Sequence, residues 1–153
     1  MRGLLHAFSY ALRGLRYLLR TGRNFRLQLC AALYVLWTGW MARLTPAEWA
    51  LELLCCAAVL SAEGLNTALE LLADRVTREK DALIGQAKDC AAGAVLLLSL
   101  GAAAVWLVIT LGRGHHRAML GWLLSAPWRA ALFALSVPAA LFWALRADTN
   151  EKR

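Results

Sequence analysis

The sequence predicts an all-α integral membrane protein. An amphipathic surface helix opens it, three transmembrane helices follow within residues 1–111, and an extra membrane helix lies in a C-terminal extension, 112–153. Three observations predict this class. The chain has 153 residues, 60% of them hydrophobic, and a mean hydropathy of +0.51, well above that of soluble domains. Its apolar residues gather into runs that can cross a hydrocarbon core of about 30 Å. Its net charge of +7 comes mostly from arginines flanking those runs. That pattern suits anionic lipid headgroups. It argues against nucleic acid, which needs a basic patch on a polar domain.

Residues 3–20 form the surface helix. Leu4, Leu5, Phe8, Leu12, Leu15 and Leu19 share one face, and Arg2, Arg13, Arg16 and Arg20 the other. A helix divided this way lies in the membrane surface, with Tyr10 and Tyr17 anchored at the interface. Thr21-Gly22 interrupts it. Residues 27–42 form a short first span of about 24 Å. Arg26 and Arg43 are expected to snorkel from its ends, and Trp37 and Trp40 mark its far interface. Thr45, Pro46 and Glu48 supply an N-cap, a first-turn proline and a first-turn acid for the second span, 46–74.

Residues 75–81 carry both signs of charge and read as an aqueous loop, and 83–89 as a connector. The third span, 90–111, has Ala91, Ala92, Gly93, Ala94, Gly101 and Ala102, which permit close helix approach. Arg113 to Arg117 reads as a polar loop, 118–128 as interfacial, and 130–145 as a fourth span kinked at Pro138, with a re-entrant or surface helix as the alternative. Six arginines precede the first span, so the N-terminus and the 74–89 loop are expected in the cytoplasm. No signal peptide is expected, because no short apolar core ends in a small-residue cleavage site. Cys30, Cys55, Cys56 and Cys90 lie in apolar runs without metal-ligand spacing and read as small buried hydrophobes.

The second span carries an anomaly. Glu63, Asn66, Glu70 and Asp74 follow one another at i, i+3, i+7 and i+11. At about 100° per residue they occupy an arc of roughly 80° and rise about 16 Å along the helix. Carboxylates within a membrane segment are costly, and a ladder of them marks a functional site. A partly desolvated Glu63 suits a general base acting on an alcohol held in lipid. Glu70 suits a divalent cation, and Lys88 suits phosphate oxygens. A ladder of this kind also suits proton conduction or cation transport, although so short a chain shows no repeat halves. The residues alone leave these chemistries open.

The wording of two stretches is more specific. Glu-Gly-Leu-Asn-Thr-Ala-Leu-Glu-Leu-Leu-Ala-Asp at 63–74, followed by Ala-Lys-Asp at 87–89, resembles the signature of the prokaryotic diacylglycerol kinase family, which includes undecaprenol kinases. The resemblance extends over about residues 6–111, through Tyr10 to Arg16 and the Arg-Asn-Phe-Arg of 23–26. It implies a lipid kinase of the bacterial inner membrane that transfers the γ-phosphate of ATP to a lipid alcohol. The wording is closer to the undecaprenol-kinase branch. It implies Glu63 as catalytic base, with Asn66 orienting it or the substrate. Glu70 falls on the Mg²⁺-ATP ligand. Tyr10, Glu79, Lys88 and Asp89 fall on nucleotide-contacting positions, and Arg16, Asn24, Arg26 and Trp106 on positions lining the lipid side. It further implies a homotrimer with active sites shared between subunits.

Two departures qualify the resemblance. Gly22 stands where the family has a second metal-binding glutamate, and Lys80-Asp81 replaces a frequent Tyr-His. Asp81 reads as a solvated loop charge. Gly22 motivates the alternative of a weak or inactive family member that serves as a lipid-binding or assembly protein.

Overall fold

The structure is a computed structural model that describes residues 2–77 and 81–146. Glu79, expected at the nucleotide, lies outside the described residues. Among the described residues six helices follow in order: α1 (Arg2–Thr21), α2 (Arg23–Ala42), α3 (Pro46–Val76), α4 (Ala82–Gly112), α5 (His115–Leu124) and α6 (Pro127–Leu145).

α3 and α4 form a long hairpin at the centre, α2 packs on both α3 and α6, and α5 touches α2, α4 and α6. α3, α4 and α6 are each long and apolar enough to cross a membrane. The protein is an all-α integral membrane protein. α2, expected as the first span, is 20 residues long but is not among those three. Arg23, Asn24, Arg26 and Gln28 crowd its first two turns and lower its hydropathy.

Local chemistry sets the helix boundaries. Thr45 and Glu48 form a capping box at the start of α3, with Pro46 in the first turn. Asp81 caps α4, its carboxylate accepting from the Leu83 and Ile84 amides at 2.9 and 3.0 Å. Asp81 is thus an exposed charge, as expected, that also caps the helix. The 83–89 connector is helical, because that cap starts α4 eight residues before the expected third span. The polar stretch after Gly112 shrinks to a turn at Gly114, whose φ of 71° favours glycine. His115, His116 and Arg117 open α5. Glu48 ties that turn to α3 through Arg113 at 3.4 Å and His115 at 3.3 Å.

The extension grips α2. Tyr34 donates its hydroxyl to Ser136 at 2.8 Å, and Phe133 sets its ring against Tyr34 and Trp37 at 5.7 and 5.2 Å. Arg26 does not snorkel; it is 4% exposed. Its Nε donates to the Ala144 carbonyl (3.1 Å), Nη2 to that of Arg146 (2.9 Å), and Nη1 to those of Arg20 (2.7 Å) and Leu19 (3.4 Å). The carbonyl-rich ends of α1 and α6 converge there, and a helix C-terminus attracts a cation.

Candidate active site

Glu63 and Asn66 are buried on α3, at 4% and 5% exposure, although most of that helix's leucines face outward. The upper half of the ladder therefore points into protein. Gln28 of α2 donates its amide to Glu63 at 3.4 Å, and Thr67 donates to the Glu63 carbonyl at 3.0 Å. Asn66 donates to the Glu70 carboxylate at 3.1 Å, which fixes Glu70 one turn further along. Asp74, exposed at the lower end, pairs with Lys88 of α4 at 2.8 Å.

These groups open into a polar cleft of about 260 Å³. One wall is Glu63, Thr67, Glu70, Leu71 and Asp74 of α3; the other is the α1–α2 junction, from Tyr17 and Thr21 to Asn24. Gly22 forms the elbow. A Cβ there would stand 2.8 Å from the Leu18 carbonyl and 3.1 Å from the Phe25 Cβ. The bend beside the cleft therefore leaves little room for a side chain at this position.

Of the residues singled out in the sequence, Glu63, Glu70 and Asn24 line the cleft, and Asn66 and Lys88 hold its carboxylates. Asp89 is exposed on α4 near Lys88. Arg16 and Tyr10 are exposed on α1, and Tyr10 carries the Arg13 guanidinium 4.5 Å above its ring. Arg26 is spent on backbone carbonyls. Trp106 donates to Thr38 at 3.3 Å and lines apolar cavities outside the cleft. Gln28 and Thr67 were not singled out from the sequence. A lone amide two residues after Arg26, at the start of an apolar run, was the available signal for Gln28.

The cleft carries three carboxylates, Glu63, Glu70 and Asp74, together with Arg23, and Lys88 pairs with Asp74 beside it. Glu70 and Asp74 stand one helical turn apart on its wall. They fit Mg²⁺, which takes only one or two protein carboxylates when nucleotide phosphates and water supply the rest. Among the described residues, no three His, Cys, Asp or Glu side chains form a self-sufficient metal site.

Comparison with known proteins decides the family. The model of the prokaryotic diacylglycerol kinase family matches residues 9–110. The chain belongs to that family. It is similar to an undecaprenol kinase of Bacillus subtilis, 37% identical over 105 residues that make up 69% of this chain and 85% of the relative. A diacylglycerol kinase of Synechocystis is 39% identical over 103 residues, 67% of this chain and 59% of the relative. A diacylglycerol kinase of Pseudomonas aeruginosa is 28% identical over 112 residues, 73% of this chain and 91% of the relative. No solved structure matches the chain. As a member of this family, the protein is an ATP-dependent lipid kinase of the membrane. The matched region ends at the end of α4, so α5 and α6 lie beyond it.

Proposed function

We propose that the protein transfers the γ-phosphate of ATP to the hydroxyl of a lipid alcohol, undecaprenol in preference to diacylglycerol, with Glu63 as general base. The observation that carries this reading is the burial of Glu63 in a cleft whose wall also carries an exposed Asp74, paired with Lys88. A base needs a dry end, where a lipid hydroxyl can meet it. A nucleotide needs the wet end. About 10 Å along the helix separates Glu63 from Glu70, which leaves room for a phosphoryl group in flight.

Glu63 takes the hydroxyl proton as the alcohol oxygen bonds to the γ-phosphorus. The bond from that phosphorus to the β–γ bridging oxygen breaks, and ADP leaves. Gln28, donating to Glu63, holds the carboxylate in place. Asn66 fixes Glu70 on the metal-nucleotide side. Mg²⁺, when bound with the nucleotide, supplies charge neutralisation on the phosphates. Lys88 exchanges Asp74 for phosphate oxygens as a mobile point charge. Asp89, Tyr10 and Glu79 border the nucleotide, and Arg16 and Asn24 meet the lipid headgroup. Arg26 acts indirectly, by fixing α1 over the cleft, and Trp106 borders the hydrocarbon chain.

We place residues 1–111 as the kinase domain and 112–153 as an extension. The arginine-rich N-terminus lies on the cytoplasmic side of the inner membrane, and three subunits assemble. The alternative, a weak or inactive lipid-binding member, draws support from Gly22, where no carboxylate joins Glu70.

The test is transfer of labelled γ-phosphate by the purified protein to undecaprenol and to diacylglycerol. Phosphorylated undecaprenol is expected. An intact trimer without turnover on either lipid would favour the non-enzyme.

A further inference from the structure

The acidic stripe of α3 reaches past Glu63 to a carboxylate that this reaction leaves unused. Glu52 lies eleven residues before Glu63 on the same helix. Eleven residues bring it to within about 20° of the same face and about 16 Å away along the axis. It is 2% exposed, and its Oε1 has no hydrogen-bond partner. Buried polar atoms are nearly always satisfied, and an orphan calls for a missing partner.

Glu52 lines a cavity of about 250 Å³ between α2, α3 and α4. Its walls are apolar, chiefly Ala31, Ala32, Val59, Ala102 and Trp106, with Ser99 the lone hydroxyl. Gln28 lines the same cavity; it donates its amide to Glu63, while its Oε1 is buried and unpaired. The cavity thus offers two unused acceptors on apolar walls.

Water alone fits poorly. The space far exceeds the ~10–15 Å³ that one water needs, and each further water would lack the two to four polar partners it requires. The missing occupant has an apolar body and one hydrogen-bond donor.

We propose that this cavity binds a hydrocarbon chain ending in a hydroxyl, with the hydroxyl donating to Glu52. It is a second position for an alcohol-headed lipid, about three helical turns from the reacting position at Glu63. The ligand class rests on the lipid-alcohol reading above, but binding here requires no turnover.

The test is thermal unfolding of the full chain in detergent, titrated with farnesol or with farnesene, a matched hydrocarbon lacking the hydroxyl. Farnesol is expected to stabilise the protein at a concentration at least tenfold lower than farnesene. Glu52→Leu is expected to cut that preference at least fivefold, the reacting position at Glu63 supplying what remains, while unfolding at the same temperature or higher, because an unpaired buried carboxyl is gone. Glu52→Gln, which keeps an acceptor in place, is expected to retain the preference within threefold. Equal effects of the two compounds on the wild type would overturn the proposal. So would a preference that survives undiminished in Glu52→Leu, or one lost in Glu52→Gln. An enzyme without turnover that still prefers farnesol would sink the kinase mechanism and leave this site standing.

Discussion

Replacing Arg26 by alanine separates two roles for one residue. Sequence resemblance assigns Arg26 to the lipid substrate; in the structure it joins three helices. Its guanidinium makes three hydrogen bonds of 3.1 Å or less, to the carbonyls of Arg20, Ala144 and Arg146. Each hydrogen bond from a charged donor contributes about 1.5–3 kcal/mol, and neighbouring ones are not additive. Alanine also leaves the carbonyl ends of α1 and α6 facing a void with no donor. A loss of about 3–5 kcal/mol is therefore expected, the scale of breaking a buried charged network. The assay is chemical unfolding in mild detergent, followed by circular dichroism, with limited proteolysis of α6 as a second readout. Arg26→Ala is expected to unfold earlier and to release α6 to protease, while lipid KM at low temperature changes less than threefold. Wild-type unfolding with a tenfold higher lipid KM would refute the clamp and restore the substrate contact.

Lys88→Met is expected to raise the KM for ATP about 10- to 100-fold, the equivalent of one charge-assisted phosphate contact. It should leave unfolding close to wild type, because the pair with Asp74 is solvent-exposed; an unchanged ATP KM would remove Lys88 from the nucleotide. Gly22→Ala is expected to cost about 1–3 kcal/mol in the same unfolding assay, since its Cβ would press on the Leu18 carbonyl. Wild-type stability there would mean that the elbow yields freely. Thr45→Ala breaks the capping box of α3 and is expected to cost about 1 kcal/mol; no change in unfolding would show that packing against α4 alone fixes that end.

The α3 face was legible because helical periodicity is local: Glu63, Asn66, Glu70 and Asp74 share a side whatever surrounds them. The caps at Thr45 and Pro46 were legible for the same reason. What faced the ladder was not. Gln28 meets Glu63 across 35 residues of chain, and Arg26 meets Ala144 across 118. Such pairings depend on packing, which no short window encodes. Arg26 next to an apolar run reads as a snorkelling charge; only convergence of two helix ends turned it inward. Asp81 stays solvated, as expected, but its capping role was hidden, because a cap and a loop charge share a composition and separate only when the following amides point at the carboxylate. Glu52 was one step beyond the motif that drew attention to Glu63, on the same stripe.

The central claim is that a buried carboxylate on α3 accepts the proton of a lipid hydroxyl. The most direct measurement is the single-turnover rate of phosphoryl transfer by Glu63→Gln, with ATP affinity determined in parallel. Glutamine keeps the size and the neighbour Gln28, and removes only the basic oxygen. The account predicts transfer slower by about 10²- to 10⁴-fold, the usual contribution of a general base, with ATP affinity within twofold of wild type. Transfer at the wild-type rate, or loss of ATP binding along with activity, would contradict it.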